Sequence, residues 1–245
     1  MKFWRVVRWN IIAVLFVLLV GSIVLFAISK PLSKGVSGPE AERLGQDMLT
    51  SVNAEAWKRT GAVQFTFYGH RHLWDRNRGF DSVEWDNHRV LLKIKNQTGR
   101  VYQDGAEIQG DRANKFLKDA YAYWINDSFW LNPVVKIFDS GVTRSIVHDG
   151  DLKKLLVQYA SGGITPGDAY LWTPGQNGAP PTLWQMWVHV FPVGGLSASW
   201  ERWITLSTGA KVSTFHRFGP FTLELKDVSG ASTLNQLVSE DPFTR

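Results

Sequence analysis

Leu183-Trp184-Gln185-Met186-Trp187-Val188-His189-Val190-Phe191 is the stretch on which the fold turns. Trp184, Met186, Val188 and Val190 alternate onto one wholly apolar face. Leu183, Trp187 and Phe191 make the other face apolar too, relieved by Gln185 and His189. A period of two marks a strand, and a strand apolar on both faces is covered on both.

Further strands are expected around it, over residues 155–160, 169–172, 198–204, 211–217 and 221–228. Turn signals separate most of them: Gly162-Gly163, Pro174-Gly175, Pro180-Pro181, Gly194-Gly195 and Gly219-Pro220. Upstream, Val63, Phe65 and Phe67 alternate with Gln64, Thr66 and Tyr68, and Val90, Leu92 and Ile94 alternate with Arg89, Leu91 and Lys93. Asp104-Gly105 is a hairpin signal. The first half therefore reads as a meander of short antiparallel strands.

Helical spacing occurs twice. Pro39 suits a first helical position, Glu40 and Glu42 suit the positive end of the helix dipole, and Ala41, Leu44, Met48, Leu49 and Val52 form one stripe. In mid-chain, Asp111 is placed to cap a helix bearing Ala113, Phe116, Leu117, Ala120, Tyr121 and Trp124 on one side. Asn126-Asp127-Ser128 should break it, and Asn132-Pro133 should start a second helix that runs through Phe138 and ends at Gly141. The expected fold is mainly β (α+β). It is a curved, unclosed antiparallel β-barrel of about ten or eleven strands, plugged by an N-terminal helix and two mid-chain helices.

The N-terminus fixes the compartment. Lys2, Arg5 and Arg8 precede an apolar run from Ile11 to Ile28 that contains no charge. Eighteen helical residues rise about 27 Å, close to the hydrocarbon thickness of a bilayer. Trp4 and Trp9 suit the interface, and the basic flank keeps the N-terminus cytoplasmic. A transmembrane helix is therefore expected over 11–29, after a basic flank at 1–10. A linker over 30–38, one domain over 39–228 and a polar, poorly ordered tail over 229–245 follow. The expected location is a bacterial inner membrane, single-pass, with the bulk of the chain in the periplasm. The alternative is a secreted or periplasmic protein after cleavage near Ala27-Ile28-Ser29.

Composition narrows the function. Four of the 27 basic residues lie in the first thirty, leaving 23 against 22 acidic ones, so the exported part does not have the footprint of a nucleic-acid binder. Without cysteine there are no disulfides, thiolate metal sites or cysteine catalysis. Of 12 Trp, ten lie beyond residue 30, which suits a large β-core or an aromatic-lined concave surface for a lipid or sugar.

This order of elements resembles the LolA/LolB family of periplasmic lipoprotein carriers and receptors, over nearly all of residues 38–228. The segments Leu73-Trp74-Asp75, Asn126 to Pro133 and Ser161 to Asp168 look like those of uncharacterised bacterial envelope proteins of that type. The resemblance implies a helix-plugged half-barrel with a lipid-facing cavity. The chain departs from the family in lacking the receptor's lipobox Cys and in keeping an anchor the soluble carrier lacks.

The function expected is a non-enzymatic, membrane-anchored envelope protein binding a lipid or acylated polypeptide in a hydrophobic cavity. Phe65, Phe67, Phe116, Tyr121, Trp124, Trp130, Trp184, Met186 and Trp200 are the candidate lining residues. No cofactor, metal or catalytic residue is assigned. His70 and His72 fall on one strand face and could offer two imidazoles to a metal, with His88, Asp86 or His216 as possible partners. The reading adopted is a polar, hydrogen-bonded face with partly exposed histidines. The alternative function is a cell-wall carbohydrate-binding protein or hydrolase with Trp platforms and a carboxylate pair from Asp75, Asp81, Glu84 and Asp86. Arg76, Arg78 and Arg89 offer those acids ordinary ion pairs.

Overall fold

The computed structural model describes residues 29–161 and 167–244. Two short helices lead, α1 (Pro39–Ser51) and α2 (Ala54–Arg59). A hairpin meander follows: β1 (Ala62–Phe67), β2 (His70–Asp75), β3 (Phe80–Trp85), β4 (His88–Lys93), β5 (Thr98–Gln103) and β6 (Ala106–Ile108). Then come the long helix α3 (Gly110–Leu131) and a 3-10 turn at Pro133–Lys136. The rest is β7 (Val142–Asp149), β8 (Leu152–Tyr159), β9 (Ala169–Thr173), β10 (Leu183–Trp187), β11 (Leu196–Ser199), β12 (Glu201–Thr205), β13 (Lys211–Phe218), β14 (Phe221–Glu224) and β15 (Lys226–Ala231).

Among the described residues the strands form two antiparallel sheets and no closed barrel. One has the order β15-β1-β2-β3-β4-β5-β6, the other β12-β13-β11-β10-β9-β8-β7 with β14 on the free side of β13. The chain passes between them at Leu225, which alone separates β14 from β15. Its N–H donates to Thr214 O at 2.9 Å and its side chain is buried, so this corner is built into the core. The far edges, β6 and β7, do not pair with each other.

The described residues form four buried apolar clusters, a small one of Leu156, Ala169 and Leu171 and three larger ones. Met48, Val52, Val134, Ile137, Leu155, Trp172, Trp184 and Trp200 lie against α1 and the second sheet. Phe65, Phe67, Leu131, Val212 and Leu225 bridge the two sheets. Val83, Val90, Leu92 and Val101 form the inner face of the first sheet, under α3. Helix α3 packs on β3, β4 and β5 and reaches β13, so it runs from one sheet to the other. Arg144 of β7 pairs with Glu42 at 2.9 Å and ties α1 to the second sheet.

Several expectations are corrected. Among the described residues there are fifteen strand segments in two sheets, not ten or eleven in one. The stretch from Leu183 to Phe191 is a strand only to Trp187, and Val190 and Phe191 are exposed. Asp168 Oδ1 accepts both the His189 N–H and its ring nitrogen at 3.0 Å, which draws the chain off the sheet there. The span 198–204 is split at Trp200, whose N–H turns to Thr182 O at 2.8 Å. The leading helix runs over Pro39–Ser51 as its stripe predicts, and an additional short helix α2 follows, capped by Asn53, which has φ 52° and accepts from the Ala56 N–H. Gln109, not Asp111, is the residue before α3, and no side chain caps it.

The most consequential correction concerns Asn126-Asp127-Ser128. These residues do not break the helix; α3 continues through them to Leu131. Asp and Asn end helices when their side chains bond the local backbone. Asp127 instead bonds groups on β2, so its local competition is removed. The tail also packs more than expected. β15 continues to Ala231, Leu234 is buried, Arg78 pairs with Asp241 at 2.8 Å, and Phe243 lies 5.4 Å from Phe80. No helix among the described residues is long and apolar enough to cross a membrane, and the expected span at 11–29 lies almost wholly outside them.

Candidate functional site

The inner face of the first sheet is the place to begin. Strand alternation points Val63, Phe65 and Phe67 of β1 inward, opposite Trp74, His72 and His70 of β2. Asp81, Val83 and Trp85 continue that face on β3, and Val90 and Leu92 continue it on β4. Against this floor lies the aromatic side of α3. Phe116, Leu117, Tyr121, Tyr123 and Trp124 pack on Val83, Val90, Leu92 and Val101. Val83, Val90, Leu92 and Val101 are wholly buried, whereas those five helical side chains keep partial contact with solvent.

The nine expected lining residues fall into neighbouring groups. Trp130, Trp184 and Trp200 come together; Trp130 lies 5.1 Å from Trp184 and 6.2 Å from Trp200, between ring centroids. Met186 belongs to the same cluster. Phe65 and Phe67 sit between the sheets, with Phe67 6.4 Å from Trp130. Phe116, Tyr121 and Trp124 cover the first sheet. These rings fill the interior by contact. Two open grooves of about 390 and 380 Å³ lie instead on the outer face of the first sheet, and none of the nine lines either one. The larger is bounded by Arg71, Glu84, Arg89, Tyr102 and the tail residues Asp241 and Pro242.

Between floor and helix sits a polar cluster. His70 and His72 share a strand face and are hydrogen-bonded, as expected, but of the two only His70 is partly exposed; His72 is completely buried, which corrects the expectation for that residue. His70 keeps 18 % of its side chain exposed and stacks on Tyr123 at 3.7 Å. His72 Nδ1 lies 2.7 Å from Asp81 Oδ2 and its Nε2 lies 3.1 Å from Asp127 Oδ2. His70 Nδ1 lies 2.8 Å from that same Asp127 oxygen. Asn126 Nδ2 donates to the other Asp127 oxygen at 2.8 Å. Phe65 stacks face to face on His72 at 4.6 Å and closes the cluster from the β1 side.

The electrostatics follow from burial against pairing. Burial pulls the His72 imidazolium down, but the Asp81 charge and the bonds to Asp127 and Asp81 outweigh it, and its pKa is raised to about 9. Burial pushes Asp127 up, yet the bonds from His70 and His72 hold it below the usual carboxylate range. Burial dominates at Asp81 and pushes it up.

Asp127 is the partner that sequence reasoning missed, and the signal was present. Ala113, Ala120 and Asp127 recur every seven residues on the buried stripe of α3. Reading a break at Asn126 hid that Asp127 continues it. In the sequence Asp81 is one of four acids, with Asp75, Glu84 and Asp86, near Arg76, Arg78 and Arg89. Of the suggested metal partners, Asp86 sits in the β3–β4 turn with φ 47°, and His88 lies behind Trp85, stacked on it at 5.4 Å. His216 lies in the other cluster, 4.3 Å from Trp200. The carboxylates of the enzymatic alternative are dispersed. Asp75 is held by Arg78, Asp81 is inside, and Glu84 is outside, 3.3 Å from Arg71.

No protein-family model matches the chain, and no curated protein matches it.

Proposed function

We propose that this chain is a membrane-tethered envelope protein that takes an acyl chain, or a lipid-modified polypeptide, against the inner face of its first sheet. The ligand would take the place now filled by the aromatic side of α3. The observation that carries this reading is the contrast in burial there. Val83, Val90, Leu92 and Val101 are sealed, while the helix sealing them buries just Ala113, Ala120, Asp127 and Leu131 fully. Each buried methylene contributes about 0.8 kcal/mol, so a dozen could offset the loss of half-buried aromatic contacts. The LolA/LolB-like element order, the unclosed antiparallel strands and the uncharged run at Ile11–Ile28 support the same reading.

The test uses the full-length protein in detergent. Phe116→Ser and Trp124→Ser are expected to lower stability by about 1–3 kcal/mol, as truncations of partly buried aromatics do. Both should also tighten binding of a fluorescent fatty acid to the folded fraction, because the helix is then easier to displace. Absence of co-purified lipid, with no probe binding in the parent or either variant, would refute the reading.

A second reading rests on the outer groove, where Tyr102 has the Arg89 guanidinium over its ring at 4.9 Å and Glu84 and Asp241 on its rim. Such a mixture suits a polar ligand such as a cell-wall carbohydrate. Loss of binding to soluble wall fragments in Tyr102→Ala would favour it.

A further inference from the structure

We propose that His70, His72 and Asp127 bind a divalent transition-metal ion of the zinc class, held between β2 and α3. One donor atom from each residue lies within 4.8 Å of the other two. The two distances to Asp127 Oδ2 are 2.8 and 3.1 Å. Donors around a tetrahedral ion with bonds of about 2.0–2.1 Å lie about 3.3 Å apart, so small side-chain adjustments would admit one. Two imidazoles and a carboxylate are a borderline-soft donor set of the kind zinc accepts with a fourth position left open.

Three further features point the same way. Asp81 accepts from His72 Nδ1 at 2.7 Å, both side chains wholly buried, and this leaves Nε2 aimed at the cluster. A carboxylate behind a ligating imidazole is the usual outer partner of a zinc site. Asn126 occupies the second oxygen of Asp127, so Oδ2 is the one that faces both rings. Finally, two buried carboxylates meet two imidazoles, and neither Asp81 nor Asp127 has a lysine or arginine ion pair among the described residues. Without an ion a protonated His72 ring bridges the two carboxylates, and a divalent cation taking the place of its Nε2 proton would compensate both. The partly exposed His70 marks the side from which an ion or a water could enter.

Such an ion would fix α3 to the first sheet at Asp127. A lipid that displaced the helix at that point would carry Asp127 away from His70 and His72 and dismantle the site. Without metal, the same atoms form a closed hydrogen-bonded relay, and the experiment must separate the two.

Tag-free, full-length protein is stripped with chelator and titrated with Zn²⁺ and with Co²⁺, while folding is followed by circular dichroism. One equivalent should bind, raise the Tm and give the intense visible absorption of a low-coordinate cobalt site. His70→Gln, at the exposed rim, should stay folded with a chelated Tm near the parent's and lose at least tenfold in affinity. Asp81→Asn should weaken binding 10–100-fold, the range found for outer partners of metal ligands. Folded parent protein that binds neither ion at micromolar concentration would overturn the proposal. So would a folded His70→Gln variant that binds as tightly as the parent.

Discussion

Single residues here are governed by what burial does to polar groups. His216 shows this away from the candidate site. It is completely buried on β13, and its Nδ1–H donates to Ser199 O at 3.0 Å. Burial lowers its pKa to about 4, so the folded state holds it neutral where an unfolded chain would protonate it near 6.5. The sign is fixed by linkage. Above pH 6.5 both states are neutral and nothing is lost; as pH falls from 6.5 toward 4 the unfolded state gains the extra proton and stability drops. Between pH 7 and 5 this one group should cost about 2 kcal/mol. Urea denaturation at both pH values, on the parent and on His216→Gln, isolates the effect. The drop should be about 2 kcal/mol smaller in the variant, and equal drops would contradict it.

At the scale of elements, the β4–β5 hairpin depends on a missing side chain. Gly99 stands opposite Leu92, and a Cβ built on it would lie 1.9 Å from Leu91 O. Backbone cannot yield there without parting the strands. Gly99→Ala is therefore expected to open the end of the hairpin and to expose Leu92 and Val101, part of the floor beneath α3. The expected cost is about 2–4 kcal/mol, with faster amide exchange confined first to β4 and β5. Unchanged exchange in those strands would show that the hairpin relaxes at no cost. Pattern reading served such elements well where local spacing and tertiary environment agree. The alternation at Val63–Phe67 and Val90–Leu92 gave real strands, with those residues buried. It failed at Val188–Phe191, where a side chain from residue 168 captures the backbone.

For the whole molecule, the tail closes the outer face. Arg78 is pinned between Asp75 and Asp241, and Phe243 lies on Phe80. Removing residues 240–245 should leave Arg78 with Asp75 as its ion-pair partner and take one wall from the larger groove. Arg78 is partly exposed and such pairs contribute little, so the expected loss is about 1 kcal/mol, or a Tm lower by roughly 2–4 °C. Thermal melting of the truncated chain measures it. A loss above about 4 kcal/mol would mean that the tail is part of the core.

The sequence by itself determined the periodicities: a chain rich in short antiparallel strands, an amphipathic leading helix, an aromatic mid-chain helix, and a long uncharged run after Lys2, Arg5 and Arg8. Those depend on neighbours a few residues away, which a sequence displays directly. The tertiary structure alone decided the division into two sheets at Leu225, the continuity of α3 through Asp127, and the meeting of His70, His72, Asp81 and Asp127. Asp127 comes to the histidines from 55 and 57 positions along the chain. Whether an Asp ends a helix or serves it depends on which partner reaches its carboxylate, and that partner is supplied by another strand.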